Sequence, residues 1–147
     1  MVGGGEGAFI GAVHRMAARI DDQWDLVAGA FQSDPVRSVM FGERLGLALD
    51  RSYRDFQSMA SSEAKRPDRI DAVSIVTPNH QHHAAARAFL DAGIPVICDK
   101  PLTTTLKNAN DLAHAVEKSG LPFILTHNYS GYPMIRQARA MIEAMEL

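Results

Sequence analysis

The chain has 147 residues, a formal charge of −2 from 15 basic and 17 acidic side chains, 46% hydrophobic and 22% charged residues. This composition predicts a packed globular domain rather than a disordered chain. The near-neutral balance gives no electrostatic footprint for nucleic acid, and no apolar run reaches the roughly 18–20 residues of a membrane span, so neither partner is expected. A single cysteine, Cys98, excludes an internal disulfide and a cysteine zinc site. No leader pattern opens the sequence, so a cytoplasmic, reducing setting is expected.

The opening Met1-Val2 and the run Gly3-Gly4-Gly5-Glu6-Gly7 lead into a helix over 9–20, with Phe9, Ile10, Val13, Met16, Ala17 and Ile20 on one apolar face. Residues 24–31, with Leu26, Val27 and Ala28, predict a buried strand. Asp34-Pro35 starts a helix, Asp as N-cap and Pro in the first turn, that stops at Gly46. Tyr53 lies in a short extended piece, 55–64 is a weaker helix, and 65–68 is a turn. In the second half, 72–76 is a β-branched strand and 80–91 a helix with Ala84, Ala85, Ala88 and Phe89 inward; Asn79 is its candidate cap. Then come a strand over 94–98, a helix over 105–119 with Leu106, Ala109, Leu112, Ala113 and Val116 on one face, a strand over 123–126 and a helix over 134–145. Alternating helices and continuous apolar strands predict an α/β fold, with a doubly wound, mostly parallel sheet. Ligands of such sheets bind beyond the carboxyl ends of the strands, so chemistry is expected in loops 3–8, 31–35, 77–80, 98–103 and 126–132.

Gly3-x-Gly5-x-x-Ala8 has the form of a dinucleotide phosphate loop, in which bare N–H groups at a helix N-terminus meet a pyrophosphate. The candidates here are Gly3, Gly5, Ala8, Phe9 and Ile10. Gly7 and Gly11 allow other registers, and a merely flexible glycine-rich terminus has the same composition. At the end of the second strand, Ser33 or Gln32 is placed to face the adenosine ribose, Asp34 having the role of N-cap. Arg37, one turn on, is either a solvated helix arginine or the partner of a 2′-phosphate, which leaves NAD and NADP both open. Three histidines, His80, His82 and His83, fall within four residues, but His82 points away from the face the others share and no Cys or Glu completes a set, so no metal is expected. Lys100, in Asp99-Lys100-Pro101 at a strand end, is either a surface lysine or a donor to a developing alkoxide. Asn128 and Tyr129 stand in the loop after the last strand as candidates to line nicotinamide or substrate. No G-x-S-x-G nucleophile elbow is present.

The ordered series of glycine loop, Val73-Ser74-Ile75-Val76-Thr77-Pro78-Asn79, His82, Ala92-Gly93, Cys98-Asp99-Lys100-Pro101 and Asn128-Tyr129 resembles the Gfo/Idh/MocA family of nicotinamide-dependent oxidoreductases. The resemblance implies a Rossmann domain binding NAD or NADP, followed by an α/β substrate domain that often carries an oligomer interface, and substrates that are sugars, polyols and their derivatives. It implies Lys100 beside the nicotinamide and the substrate hydroxyl, and Asp99 near the cofactor. It further implies Thr77, Pro78, Asn79 and His82 packed around the adenosine–nicotinamide bridge, and Asn128 near nicotinamide or substrate. Asp99 replaces the commoner Glu, the glycine loop is longer than the common form, and the opening strand is short. The expectation is an N-terminal domain fragment, its first strand incomplete and its substrate domain absent. A non-catalytic dinucleotide-binding or interaction module is the alternative; a methyltransferase on a similar sheet has no need of Asp-Lys-Pro.

Overall fold

The computed structural model describes residues 1–145. Four parallel strands form one sheet in the order β1 (Val2–Gly3), β2 (Val73–Val76), β3 (Val96–Asp99), β4 (Phe123–Thr126). Val2 pairs with Ile75, Ile75 with Cys98, and Cys98 with Leu125. The helices are α1 (Phe9–Arg19), α2 (Pro35–Arg44), α3 (Phe56–Glu63), α4 (His82–Asp91), α5 (Leu106–Ser119) and α6 (Pro133–Glu143). The doubly wound α/β reading of the sequence is the observed fold.

The strand expected over 24–31 is reduced to parallel bridges at Gly29 and Ala30, against Ser52 and Val2. Residues 28–31 are buried, but Trp24 and Val27 are exposed. The pairing with β1 is confined to this end of the segment: Ala30 N donates to Met1 O at 3.0 Å and Gly3 N to Ala30 O at 2.8 Å. On the outer side Gly29 N donates to Arg51 O and Tyr53 N to Gly29 O, at 3.0 and 2.8 Å. These bridges extend the sheet beyond β1, on the side away from β2.

The larger core lies between one sheet face and α3, α4 and α5, around Val73, Ile75, Val96, Cys98, Met59, Phe89 and Leu112. A smaller cluster on the other face joins Met1, Phe31 and Val76 to Ile10 and Phe41. Asp34 is the N-cap expected from the sequence: its Oδ1 accepts from the N–H groups of Val36 and Arg37, both at 2.9 Å. Asp55 and Thr105 cap α3 and α5, and Gly120 ends α5 in the left-handed region at φ 64°.

The apolar stripe expected to turn α1 inward faces out instead: Phe9, Met16 and Ile20 are 81%, 68% and 81% exposed. The inward positions are Gly11, His14, Arg15 and Ala18, which share helical spacing on the opposite side. Gly11 decides this. A Cβ built on it would lie 2.3 Å from Gly4 Cα, so α1 touches the glycine loop backbone to backbone there. Ala84, Leu106 and Ala113 are likewise exposed rather than inward. Asn79 does not cap α4; it opens a 3-10 turn, Asn79–Gln81, and α4 begins at His82 with no side-chain cap. The apolar side of α6 is open, with Met134, Ile135 and Ile142 exposed. Glu146 and Leu147, where the resemblance places the crossing into a second domain, lie outside the described residues.

Glu63 is fully buried at the end of α3. It accepts from Arg51 Nη2 at 2.7 Å, Arg51 Nε at 3.2 Å, Tyr53 Oη at 2.8 Å and the Ile70 N–H at 3.1 Å. Burial, then the bond to Glu63, pushes the Tyr53 phenol up to about 12. Replacing Glu63 by Leu leaves the Arg51 guanidinium without its buried partner; the expected loss in denaturant unfolding is about 3–5 kcal/mol. Burial, with Asp99 adding, pushes the Cys98 thiol up to about 12. Alkylation by iodoacetamide near pH ~8 is therefore expected to be negligible in the native chain and to appear only with unfolding.

Candidate functional site

A cleft of about 530 Å³ opens at the carboxyl ends of β1, the 28–31 segment and β2. Its floor is the glycine loop. Gly3 and Gly4 have φ of +80° and +72°, which L side chains avoid. A Cβ on Gly3 would lie 2.8 Å from Thr77 N, one on Gly4 2.6 Å from Gly11 Cα, and one on Gly5 2.4 Å from Gln32 Cγ. The glycines thus let the loop pack backbone to backbone on its neighbours, where any side chain would collide with Thr77, Gly11 or Gln32. The N-cap of α1, Ala8, supplies no side-chain bond and its first turn has no acidic residue, so the leading N–H groups are free to meet an anion. Arg15 secures the turn from below, donating to Gly4 O at 3.0 Å.

Of the residues singled out from the sequence, Gly3, Gly5, Ala8, Ser33, Arg37, Thr77 and Pro78 line this cleft. Thr77 Oγ1 is buried there and has no hydrogen-bond partner among the described residues. Phe9 and Ile10 do not line it: Phe9 faces outward and Ile10 packs on the Met1–Phe31–Val76 cluster. Asn79 also stays off its lining, on the exposed 3-10 turn. His82 is 1% exposed, behind the cleft wall. Its Nδ1 is 2.7 Å from Pro101 O and its Nε2 2.9 Å from Thr77 O, so the ring ties the loop after β2 to the loop after β3. This linkage explains why it points away from His80 and His83. His83 instead meets Asp111 Oδ2 at 2.8 Å on the surface, where Arg87 also pairs with Asp111. Hydrogen bonds from both hold the Asp111 carboxyl below its usual range. Among the described residues no three His, Cys, Asp or Glu side chains converge as metal ligands.

Lys100, Asn128 and Tyr129 form a second group beyond the ends of β3 and β4, outside the cleft lining. Lys100 is exposed, and its peptide bond to Pro101 is cis. Asn128 begins a 3-10 turn that carries Tyr129, whose ring lies 5.6 Å from that of Tyr132. The Asp99 carboxylate is turned into the protein, accepting from Thr126 Oγ1 at 2.8 Å.

The cleft also collects residues that sequence reasoning did not single out as ligand-binding. Gly4 is the close neighbour of Gly11, and the Gly11 register was visible in the sequence as one of several. Arg54, Asp55 and Phe56 form the far wall, brought in by the Glu63 network, and Gln81 joins from the turn before α4. Nothing in their spacing signals this. Glu6 sits at the rim, where a hydrogen bond from Arg44 at 3.0 Å holds its carboxyl below the usual range.

Residues 1–127 match the model of an oxidoreductase family with an NAD-binding Rossmann fold, Gfo/Idh/MocA. The chain belongs to this family. A Gfo/Idh/MocA relative of Bacillus subtilis, an uncharacterised oxidoreductase, is 43% identical over 144 residues, which are 97% of this chain and 37% of that protein. An oxidoreductase from Sinorhizobium meliloti is 58% identical with a TM-score of 0.91, over 98% of this chain and 40% of that one. An inositol dehydrogenase homologue from Azotobacter vinelandii, solved with NAD+, is 46% identical with a TM-score of 0.95, over 100% of this chain and 38% of that one. The same homologue is also solved with NADH and myo-inositol. The chain thus spans about two fifths of the length of these relatives. No helix among the described residues is long and apolar enough to cross a membrane.

The residues present fit the family's NAD: a bare glycine turn lining the cleft, uncapped helix N–H groups, and a buried hydroxyl without a partner among the described residues. Gly11→Ala tests the cradle. Its methyl must displace the Gly4 backbone, so the expected result is a stability loss of about 1–3 kcal/mol, with NADH affinity falling further than in a surface Gly46→Ala control.

Proposed function

We propose that the chain is the nucleotide-binding domain, spanning 1–147, of an oxidoreductase that moves hydride between the C4 of NAD(P) and a carbinol carbon of a sugar, polyol or related small molecule. One observation carries the reading: a glycine-floored cleft and a lysine from an Asp-Lys-Pro loop stand at the carboxyl ends of the same parallel sheet. The cofactor supplies the hydride chemistry when bound. The glycine loop and the α1 N–H groups hold the pyrophosphate, Thr77 and Pro78 border the bridge, and Ser33 and Arg37 face the adenosine ribose. The free-standing Lys100 ammonium donates to the substrate oxygen as charge develops on it and helps move its proton. Asn128 and Tyr129 orient nicotinamide or substrate. His82 keeps the loops after β2 and β3 together and contributes to the cofactor site through them.

A sugar or polyol substrate is supported by the myo-inositol complex of the A. vinelandii homologue, and the remaining site would come from a second domain. The exposed Ile124, Met134, Ile135 and Ile142 support self-association of the intact protein. The free, buried Cys98 suits a reducing, cytoplasmic setting. Arg37 and Arg54 both line the cleft, which keeps NADP beside NAD as a cofactor.

Titration of the 147-residue chain with NADH, followed by nicotinamide fluorescence, is expected to show saturable binding that Gly5→Val removes; no binding would sink the cofactor reading. In the whole protein Lys100→Ala is expected to lower turnover by about 100-fold or more. Its NADH affinity should stay within about twofold. Binding without turnover on any polyol would favour the non-catalytic module.

A further inference from the structure

Four polar side chains from four elements meet under the strand ends, outside the nucleotide cleft. His14 of α1 has Nδ1 2.9 Å from Ser74 Oγ of β2. Its Nε2 lies 3.9 Å from Asp99 Oδ1 of β3, and both of these side chains are largely buried. The same Asp99 oxygen accepts from Thr126 Oγ1 of β4 at 2.8 Å. Asp99 is the charged group recorded within ion-pair range of His14 among the described residues; Arg15, next on α1, is engaged with Gly4 O and Met1 Sδ.

The neighbours favour one neutral arrangement. Asp99 offers only lone pairs, which favours the tautomer with its proton on Nε2; Ser74 then donates its hydroxyl proton to Nδ1. The opposite tautomer sets a ring lone pair against a carboxylate. Burial holds His14 below the ordinary histidine value, with Asp99 opposing. A proton taken up at Nδ1 places a positive charge beside Asp99 and turns Ser74 Oγ from donor to acceptor.

Lys100 follows Asp99 directly and makes no side-chain hydrogen bond or ion pair among the described residues, so its placement follows the backbone that Asp99 anchors. His14 stands one turn after Gly11, on the helix whose N-terminus closes the glycine loop. We propose that His14 is a positioning residue: with Ser74 it anchors Asp99, holds the strand end that carries Lys100 in register with the glycine loop, and changes that register when it takes up a proton. The role of Lys100 in hydride transfer rests on the proposed function; the tie between His14 and the strand end does not.

The test is a pH titration of the isotopically labelled 147-residue chain by NMR, from about pH 8 to about pH 5. It follows the His14 ring, the Asp99 carboxyl carbon and the backbone amides of Lys100 and Thr126. The expected result is one shared midpoint. In Ser74→Ala, which removes the hydrogen bond to the neutral ring, that midpoint moves up by about half a unit or more in all reporters together. In His14→Gln the shared inflection vanishes from Asp99 and Lys100. Asp99 and Lys100 signals indifferent to His14 in the unsubstituted chain overturn the proposal without need of any variant, as does an unchanged inflection in His14→Gln. NADH added to the same samples separates the two readings: absent binding defeats the cofactor site and leaves the His14 tie to be judged on its own midpoint.

Discussion

The rest of the structure depends on the contact between Gly4 and Gly11. With no side chain on either, the first turn of α1 lies against the loop that precedes it. This sets the rotation of the helix about its own axis. Once Gly11 faces in, His14, Arg15 and Ala18 must follow, because they share its face. Arg15 then reaches Gly4 O, and His14 reaches Ser74 and the neighbourhood of Asp99. The same rotation turns Phe9, Met16 and Ile20 to the outside. Hydrophobic burial on α1 is thus sacrificed to a backbone contact that leaves the phosphate cradle open.

A second constraint builds the opposite wall of the cleft. The Glu63 carboxylate is removed from water and survives there because Arg51, Tyr53 and the Ile70 N–H together saturate it. These partners come from the 3-10 turn before the sheet edge, the edge itself and the turn after α3. Their convergence fixes the segment that carries Arg54, Asp55 and Phe56. His82 does comparable work between the loops after β2 and β3, and it does so with main-chain acceptors. The site is therefore framed by buried polar anchors, each tying together segments distant in sequence.

Much of this was legible in the sequence. The Asp34-Pro35 start, the Gly46 stop, the helix over 105–119 and the apolar strand runs over 72–76, 94–98 and 123–126 made α2, α5 and the parallel core readable, because caps and strand runs act locally. The ordered motifs gave the family. Less legible were the inward faces. Periodicity named an apolar face on α1, α4 and α5, but it cannot tell a stripe that is covered from one that is not. Residues 24–31 read as a full strand from their apolar content, yet apolar content does not show which residues find ladder partners, and only Gly29 and Ala30 do.

The sequence by itself determined which elements form, their order, and the residue types available at each strand end, since these follow from capping, backbone preference and apolar runs within a few residues. Tertiary structure alone decided which side of α1 is buried, that Arg54 and Phe56 wall the cleft, that His82 clamps two loops, and that Asp99 turns toward Thr126 and His14. Those outcomes are settled by close approach and by hydrogen-bond saturation between residues up to about sixty positions apart, His14 with Ser74 among them. No local pattern encodes such pairings.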